Sequence, residues 1–253
     1  MIYDLQKASF LKRTAAWLLD AILFCILAVG CIWVISGIVH FDDQIHELEE
    51  YYVKYETEYN TSFDYTQEEL AALTEEAKAA YDAANKALNE DQGAVNALYA
   101  AMQSIIMMTS IAIFLGKLVL EFFIPLWLRN GQTIGKKAFG VAVMRTDGVR
   151  INGVCLFIRA ILGKYAVETM LPIAIFMMMM LGIMGGFGLT IMLILLLTQL
   201  GILIFTSTNS TIHDKLADTV VVDMASQMIF DSPEARLEYQ KRISTDEANK
   251  KPY

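Results

Sequence analysis

Four stretches of this chain, near residues 16–39, 105–128, 159–182 and 187–207, are apolar for about 20 residues or more. A helix of that length crosses roughly 30 Å of hydrocarbon. Hydrophobic residues make up 55% of the chain and charged residues 19%, against about 25% charge in an ordinary soluble domain. The expected class is all-α membrane: a four-helix transmembrane bundle in a lipid bilayer. Positive charge precedes the first stretch, but Asp20 interrupts its apolar core and no A-x-A site follows. It therefore reads as a retained span and not as a cleaved leader. Cys25, Cys31 and Cys155 form no C-x-x-C pair and the three histidines are scattered, so no metal site and no cofactor are expected. No nucleic-acid partner is expected either.

The net charge of −8 conceals a split. Residues 41–103 hold 15 Asp/Glu against 3 Lys, and the remainder holds 13 acids against 17 bases. Orientation follows Lys and Arg near span ends. Lys7, Lys12 and Arg13 precede the first span; Arg129, Lys136, Lys137, Arg145, Arg150 and Arg159 lie between the second and third; Lys215 follows the fourth. Both termini are therefore expected in the cytoplasm, with 41–103 and the short Gly182–Gly188 turn outside. The expected layout is 1–40 N-terminal segment and first span, 41–103 acidic outer segment, 104–128 second span and 129–158 cytoplasmic loop. Spans three and four follow at 159–182 and 187–207, then a cytoplasmic tail at 208–253.

Within 41–103, Leu70, Leu73, Ala77, Tyr81, Ala84 and Leu88 recur at helical steps, and Thr66 with Glu69 fits a capping box. Tyr51 or Tyr52, Tyr55 and Tyr59 form a second stripe, with a break at 60–62. The spacing predicts a helical hairpin. In the loop, residues 140–152 alternate around Asp147-Gly148, which predicts a tight β-hairpin. Thr219–Asp223 is a further β-rich run, so a small three-stranded sheet is expected. Gly131–Lys137 lacks the spacing of a phosphate loop. Ser232-Pro233 opens a short amphipathic helix expected over 233–243.

The spans contain charges that hydrocarbon penalises by about 2.5–3.5 kcal/mol each. Gly116-Lys117-x-x-x-Glu121-x-x-x-Pro125 in the second span recurs as Gly163-Lys164-x-x-x-Glu168-x-x-x-Pro172 in the third. Lys before Glu at i,i+4 is the weaker order, which favours partners on other helices. Counted from Arg13, Arg129 and Arg159, Asp20, Glu121 and Glu168 fall at similar depth, about 10–14 Å from the cytoplasmic boundary. Thr198 and Gln199 in the fourth span read as farther from that boundary. A motif repeated on antiparallel helices is the pattern of inverted-repeat transporters. No nucleophile with an adjacent base is visible, so the chain does not read as an enzyme.

Three segments carry a resemblance. Arg13-x-x-Ala16-x-x-x-Asp20 opens the first span, Gly131-Gln-Thr133-Ile-Gly135-Lys-Lys-Ala-Phe-Gly140 follows the second, and His213-Asp214-Lys-Leu-Ala-Asp-Thr219 follows the fourth. Together they resemble the RDD family of prokaryotic membrane proteins over residues 10–40 and about 104–223. The resemblance implies that Arg13, Asp20 and Asp214 are the arginine and the two aspartates of the family name. It also implies that His213, Arg159, Gly131, Thr133 and Gly135 are motif or structural positions, with Arg13 and Asp214 bracing the cytoplasmic end, and that the protein sits in a prokaryotic cell membrane. The insert of about 60 residues and Asp218, where the family has a small residue, depart from its pattern. The resemblance implies suspected transport, some family members having been linked to sodium/proton exchange. The expected function is thus a cation/proton-coupled transporter, acting as a homo-oligomer. Asp20, Glu121 and Glu168 would bind a proton or monovalent cation, and Lys117 and Lys164 would balance charge. The alternative is a non-transporting scaffold or assembly factor, with structural buried charges and an acidic outer hairpin that binds a partner.

Overall fold

Hydrocarbon leaves no partner for a free backbone N–H or C=O, so spanning segments close their hydrogen bonds internally as helices. The computed structural model describes residues 5–128 and 130–250; Arg129 lies outside the described residues. In chain order the helices and strands are α1 (Phe10–Ile38), α2 (Phe41–Tyr59), α3 (Gln67–Ala72), α4 (Glu75–Glu90), α5 (Gln92–Trp127), α6 (Ile134–Ala138), β1 (Val141–Arg145), α7 (Gly153–Met180), α8 (Gly186–Phe205), α9 (Ile212–Leu216), β2 (Thr219–Asp223) and α10 (Pro233–Lys250). Among the described residues, α1, α5, α7 and α8 are long and apolar enough to cross a membrane. Their outer faces carry Trp17, Ile26, Trp33, Phe176, Phe187 and Leu196 exposed, which is where acyl chains replace water. This is a membrane protein. α1, α5 and α7 begin before the apolar stretches do, because helical hydrogen bonding continues past the greasy core. α10 likewise runs beyond the residue 243 expected for its end.

Two units form, one from residues up to 27 and from 114 on, the other from 28–113. In the second, Tyr55, Leu88 and Ala94 are the buried centre of a cluster with Tyr51, Tyr52, Tyr59 and Phe63. The break after α2 is a left-handed Asn60 at φ 50°, and Thr66 and Glu69 do form the capping box. Asp91 accepts from Tyr55 Oη at 2.8 Å and from Gly93 N at 2.8 Å, joining α2 to the start of α5.

In the first unit the sheet differs from expectation. β1 pairs antiparallel with β2, Val143 opposite Val221, and the sheet has two strands. The turn forms, with Gly148 at φ 84° and its N–H on the Arg145 carbonyl. Its second arm contributes isolated bridges, Val149 to Phe230 and Arg150 to Met144, and no strand. Asn152, whose side chain accepts from Cys155 N, starts α7 two residues later, which leaves no length for a third strand. Val141, Val143 and Val221 pack on one face with Ile151 and Leu156, while Ala142, Met144, Val220 and Val222 pack on the other. Asp218 adopts φ 51° between α9 and β2 and accepts from Thr146 Oγ1 at 2.7 Å. Asp is among the few residues with a side chain that tolerate this conformation.

Within α5 and α7 the helix widens to π geometry over Leu118–Phe123 and Ile158–Met170. Each widened stretch ends just before a proline of the repeated motif. Proline donates no N–H and its ring collides with the carbonyl four residues back, here Glu121 and Glu168. The ladder answers by reaching one residue further: Ile124 N bonds to Val119 O and Leu171 N to Ala166 O. Thr169 Oγ1 takes up the Lys164 carbonyl at 2.7 Å. Such π segments concentrate at functional sites.

Candidate functional site

Each charged side chain of the spans is positioned by a local device. Thr133 N-caps α6, accepting from Lys136 N, and donates its hydroxyl to Asp20 Oδ2 at 2.5 Å. Gly135 N donates to Asp20 Oδ1 at 2.8 Å, and a side chain at 135 would strike the Ala16 carbonyl. Asp20 thus fixes the start of α6 against α1. Gly131 turns the chain into this segment at φ 60°.

The lysines of the repeated motif have different partners. Lys164 Nζ lies 2.5 Å from Glu121 Oε2, both side chains largely buried. The pair joins α7 to α5, as the i,i+4 order within each helix favoured. Lys117 has no ion pair of this kind among the described residues; its Nζ sits 4.7 Å above the Phe24 ring. A cation over an aromatic face is stabilised by the ring quadrupole, by about 0.5–2 kcal/mol.

Glu168 meets α9. Its carboxylate lies 2.8 Å from His213 Nδ1, accepts from His213 N at 3.2 Å, and accepts from Gln199 Nε2 at 3.2 Å. Gln199 was expected to lie away from this level; the position of α9 brings it in, since Gln199 also accepts from Ile212 N at 3.2 Å. Arg159 donates to Asp214, to Thr219 Oγ1 at 2.8 Å, and toward His213 Nε2 at 3.2 Å. Arg13 donates to the Asn209 carbonyl at 2.7 Å and lies 3.9 Å from Asp214. The three residues singled out by the resemblance are therefore divided: Arg13 faces Asp214, while Asp20 serves α6.

Electrostatics follow from this packing. Burial pushes the His213 imidazole below its ordinary value, and the Arg159 charge adds to that against the opposing pull of Asp214 and Glu168. A neutral ring with its proton on Nδ1 satisfies both contacts, donating to Glu168 and accepting from Arg159. Burial alone would raise the Asp214 carboxyl, but the adjacent Arg159 guanidinium holds it well below the usual carboxylate range. Burial, followed by the nearby Lys164 and Arg159 charges, pushes the Lys136 ammonium down to about 7.

A cavity of about 390 Å³ opens among these groups. Asp20, Glu121 and Glu168 all line it, although each binds a different partner and none is bonded to another. Lys117, Lys164, Arg13 and Arg159 line it too. From the sequence, Lys136 counts among the orientation charges and within the Gly131–Gly140 segment that carries the resemblance, and is not expected among the charges of the site. It lines the cavity because Asp20 holds Thr133 and Gly135, the start of α6, against α1. The family model that matches the chain is that of the RDD family, over residues 7–218. No curated protein and no solved structure matches it.

Proposed function

The chain belongs to the RDD family, and on that premise and the geometry of the cavity we propose that it is a proton-coupled membrane transporter and not an enzyme. One observation carries the reading: a titratable His213 bonded to Glu168 on one ring nitrogen and to Arg159 on the other, at the wall of a cavity between apolar helices. A proton arriving on Glu168 weakens its charge-assisted contact with His213, and one arriving on His213 takes away the Nε2 acceptor of Arg159; either changes how α9 is held on α7. That is a local two-state element of the kind transport requires. Lys164 and Glu121 brace the adjoining helix pair. Of a proton and a monovalent cation, the proton is favoured as the coupling ion. The wall holds five basic side chains against three carboxylates, and every carboxylate is already hydrogen-bonded.

In this reading the sheet, α9 and both termini are cytoplasmic, as the Lys and Arg distribution favours, and α2–α4 lie outside. The scaffold alternative draws on the second unit, whose own packed Tyr55–Leu88 cluster leaves acidic α2 and α4 faces exposed.

The test is proton movement in proteoliposomes, read by a trapped pH-sensitive dye while gradients of alkali chlorides and of sodium phosphate are imposed. A protein-dependent pH change, lost in Glu168→Gln and in His213→Gln, is expected. Equal rates in protein-free liposomes, or an undiminished rate in Glu168→Gln, would overturn the proposal.

A further inference from the structure

The groups around the cavity are unevenly satisfied. Asp20 accepts from Thr133 and Gly135, Glu121 pairs with Lys164, and Glu168 accepts from His213 and Gln199. Arg13 and Arg159 are engaged by Asp214. Two cations remain. Lys117 and Lys136 line the cavity, and neither ammonium has a hydrogen-bonding partner among the described residues. What the cavity lacks is an acceptor, not a donor. An ammonium held in low dielectric with no hydrogen-bonding partner is costly; Glu121 and Asp20 face Lys136 without bonding to it, and a negatively charged occupant supplies the missing acceptor at both lysines.

Size and lining narrow the occupant. A volume of about 390 Å³ falls in the roughly 300–1,000 Å³ range of small-molecule sites and far exceeds what a bare ion fills. Lysine is a point-charge binder of phosphate. Phe10 and Trp17, which also line the cavity, are exposed on the outer face of α1, where Trp commonly meets the headgroup level.

We propose that the cavity binds a phosphate-class oxyanion on the ammonium groups of Lys117 and Lys136, as a free solute or as a lipid headgroup. The proposal rests on the transport reading in taking this cavity as the substrate site. Proton coupling then has a direct route. Lys136 is faced by Lys164 and Arg159 of α7, Glu121 of α5 and Asp20 of α1. Burial, with the Lys164 and Arg159 charges outweighing Glu121 and Asp20, sets its titration near neutral pH, so the anion binds to the protonated form and affinity falls as pH rises through about 7. Above about pH 7, anion binding is accompanied by proton uptake at Lys136.

The experiment is equilibrium binding, independent of flux. Purified full-length protein in detergent is titrated with inorganic phosphate against chloride at constant ionic strength, at pH 6 and pH 8.5, by thermal unfolding and calorimetry. In parallel it is placed in nanodiscs of phosphatidylglycerol or of phosphatidylcholine alone. A phosphate-dependent rise in Tm that weakens at pH 8.5 identifies a free solute; a rise seen only with phosphatidylglycerol identifies a headgroup. Lys117→Gln/Lys136→Gln should weaken either response by about tenfold or more, the value of one charge-assisted contact. Lys117→Arg/Lys136→Arg should retain binding, which separates lost charge from lost fold. No response to phosphate or phosphatidylglycerol, or an equal response in the glutamine double variant, overturns the inference. If Glu168→Gln abolishes proton flux while phosphate and phosphatidylglycerol do nothing, only the anion assignment fails. If binding persists and Glu168→Gln leaves flux unchanged, only the transport reading fails.

Discussion

Residues 116–125 and 163–172 share four identities at the same spacing, both widen to π geometry before their proline, and there the likeness ends. Lys164 is half of a buried ion pair with Glu121, whereas Lys117 rests on the Phe24 ring. Glu121 bonds to a lysine on another span, whereas Glu168 bonds to His213 on α9. Gly163 lets α9 approach so closely that a Cβ there would collide with His213 Cα and Cβ; at Gly116 a Cβ would meet the edge of the Phe24 ring at 2.8 Å. One motif supports a helix–helix brace, and the other receives a segment from beyond the fourth span. The shared letters encode a shared local geometry, a proline-widened turn carrying two charges. The neighbours decide what those charges do.

The comparison is broken most severely at the lysines. Lys164→Gln strands the Glu121 carboxylate in a low-dielectric site and should cost about 3–5 kcal/mol, read as a large fall in the unfolding midpoint in detergent. Adding Glu121→Gln should recover most of that loss, since a neutral pair has no unmatched charge. A double variant no better than Lys164→Gln would mean that the pair does not brace α5 against α7.

Next in size are the glycines. Gly163→Ala pushes against the backbone of α9, which cannot yield without releasing the His213–Glu168 contact, and should cost about 1–3 kcal/mol. Gly116→Ala pushes against a ring edge that can rotate, and should cost less. Equal losses at the two positions would erase the distinction between a fixed and a movable neighbour.

pH sharpens the contrast further. His213, the partner of the second motif, has a folded pKa below its ordinary 6.5. The unfolded chain therefore takes up its proton first as pH falls, and stability is lost progressively below about 6.5. His213→Gln should flatten that acid-side slope in a thermal-unfolding series. Lys136 acts in another window. Its pKa is about 7 in the fold against 10.5 ordinarily. The unfolded chain binds the extra proton between those values, so stability rises with pH from about 7 to 10.5, a rise that Lys136→Gln should remove. The smallest effect belongs to Lys117→Gln, which breaks no ion pair and should cost about 1 kcal/mol or less in the same unfolding measurement.

The spans, the capping box at Thr66 and Glu69, and the resemblance carried by Arg13, Asp20 and His213-Asp214 were legible from residues alone. Hydrocarbon length, helix-end hydrogen bonds and local motifs are short-range constraints, and a chain writes those in order. The i,i+4 preference even pointed Lys164 away from its own helix. What could not be read was which acceptor each charge would find. Gln199 and Glu168 are 31 residues apart and meet only because α9 folds back onto α7. Lys136 joins the cavity only because Asp20, 113 residues before Thr133, captures the start of α6. The third strand was lost for a comparable reason: Asn152 could cap a helix or end a strand, and its side chain closes on Cys155 N. The sequence thus determined that charges and two prolines would lie within apolar spans. Tertiary structure decided that the three carboxylates of the cavity would be satisfied while two ammoniums were left facing it. Coulombic pairing in low dielectric depends on distances of a few ångströms between remote segments, and such distances exist only after the helices have packed.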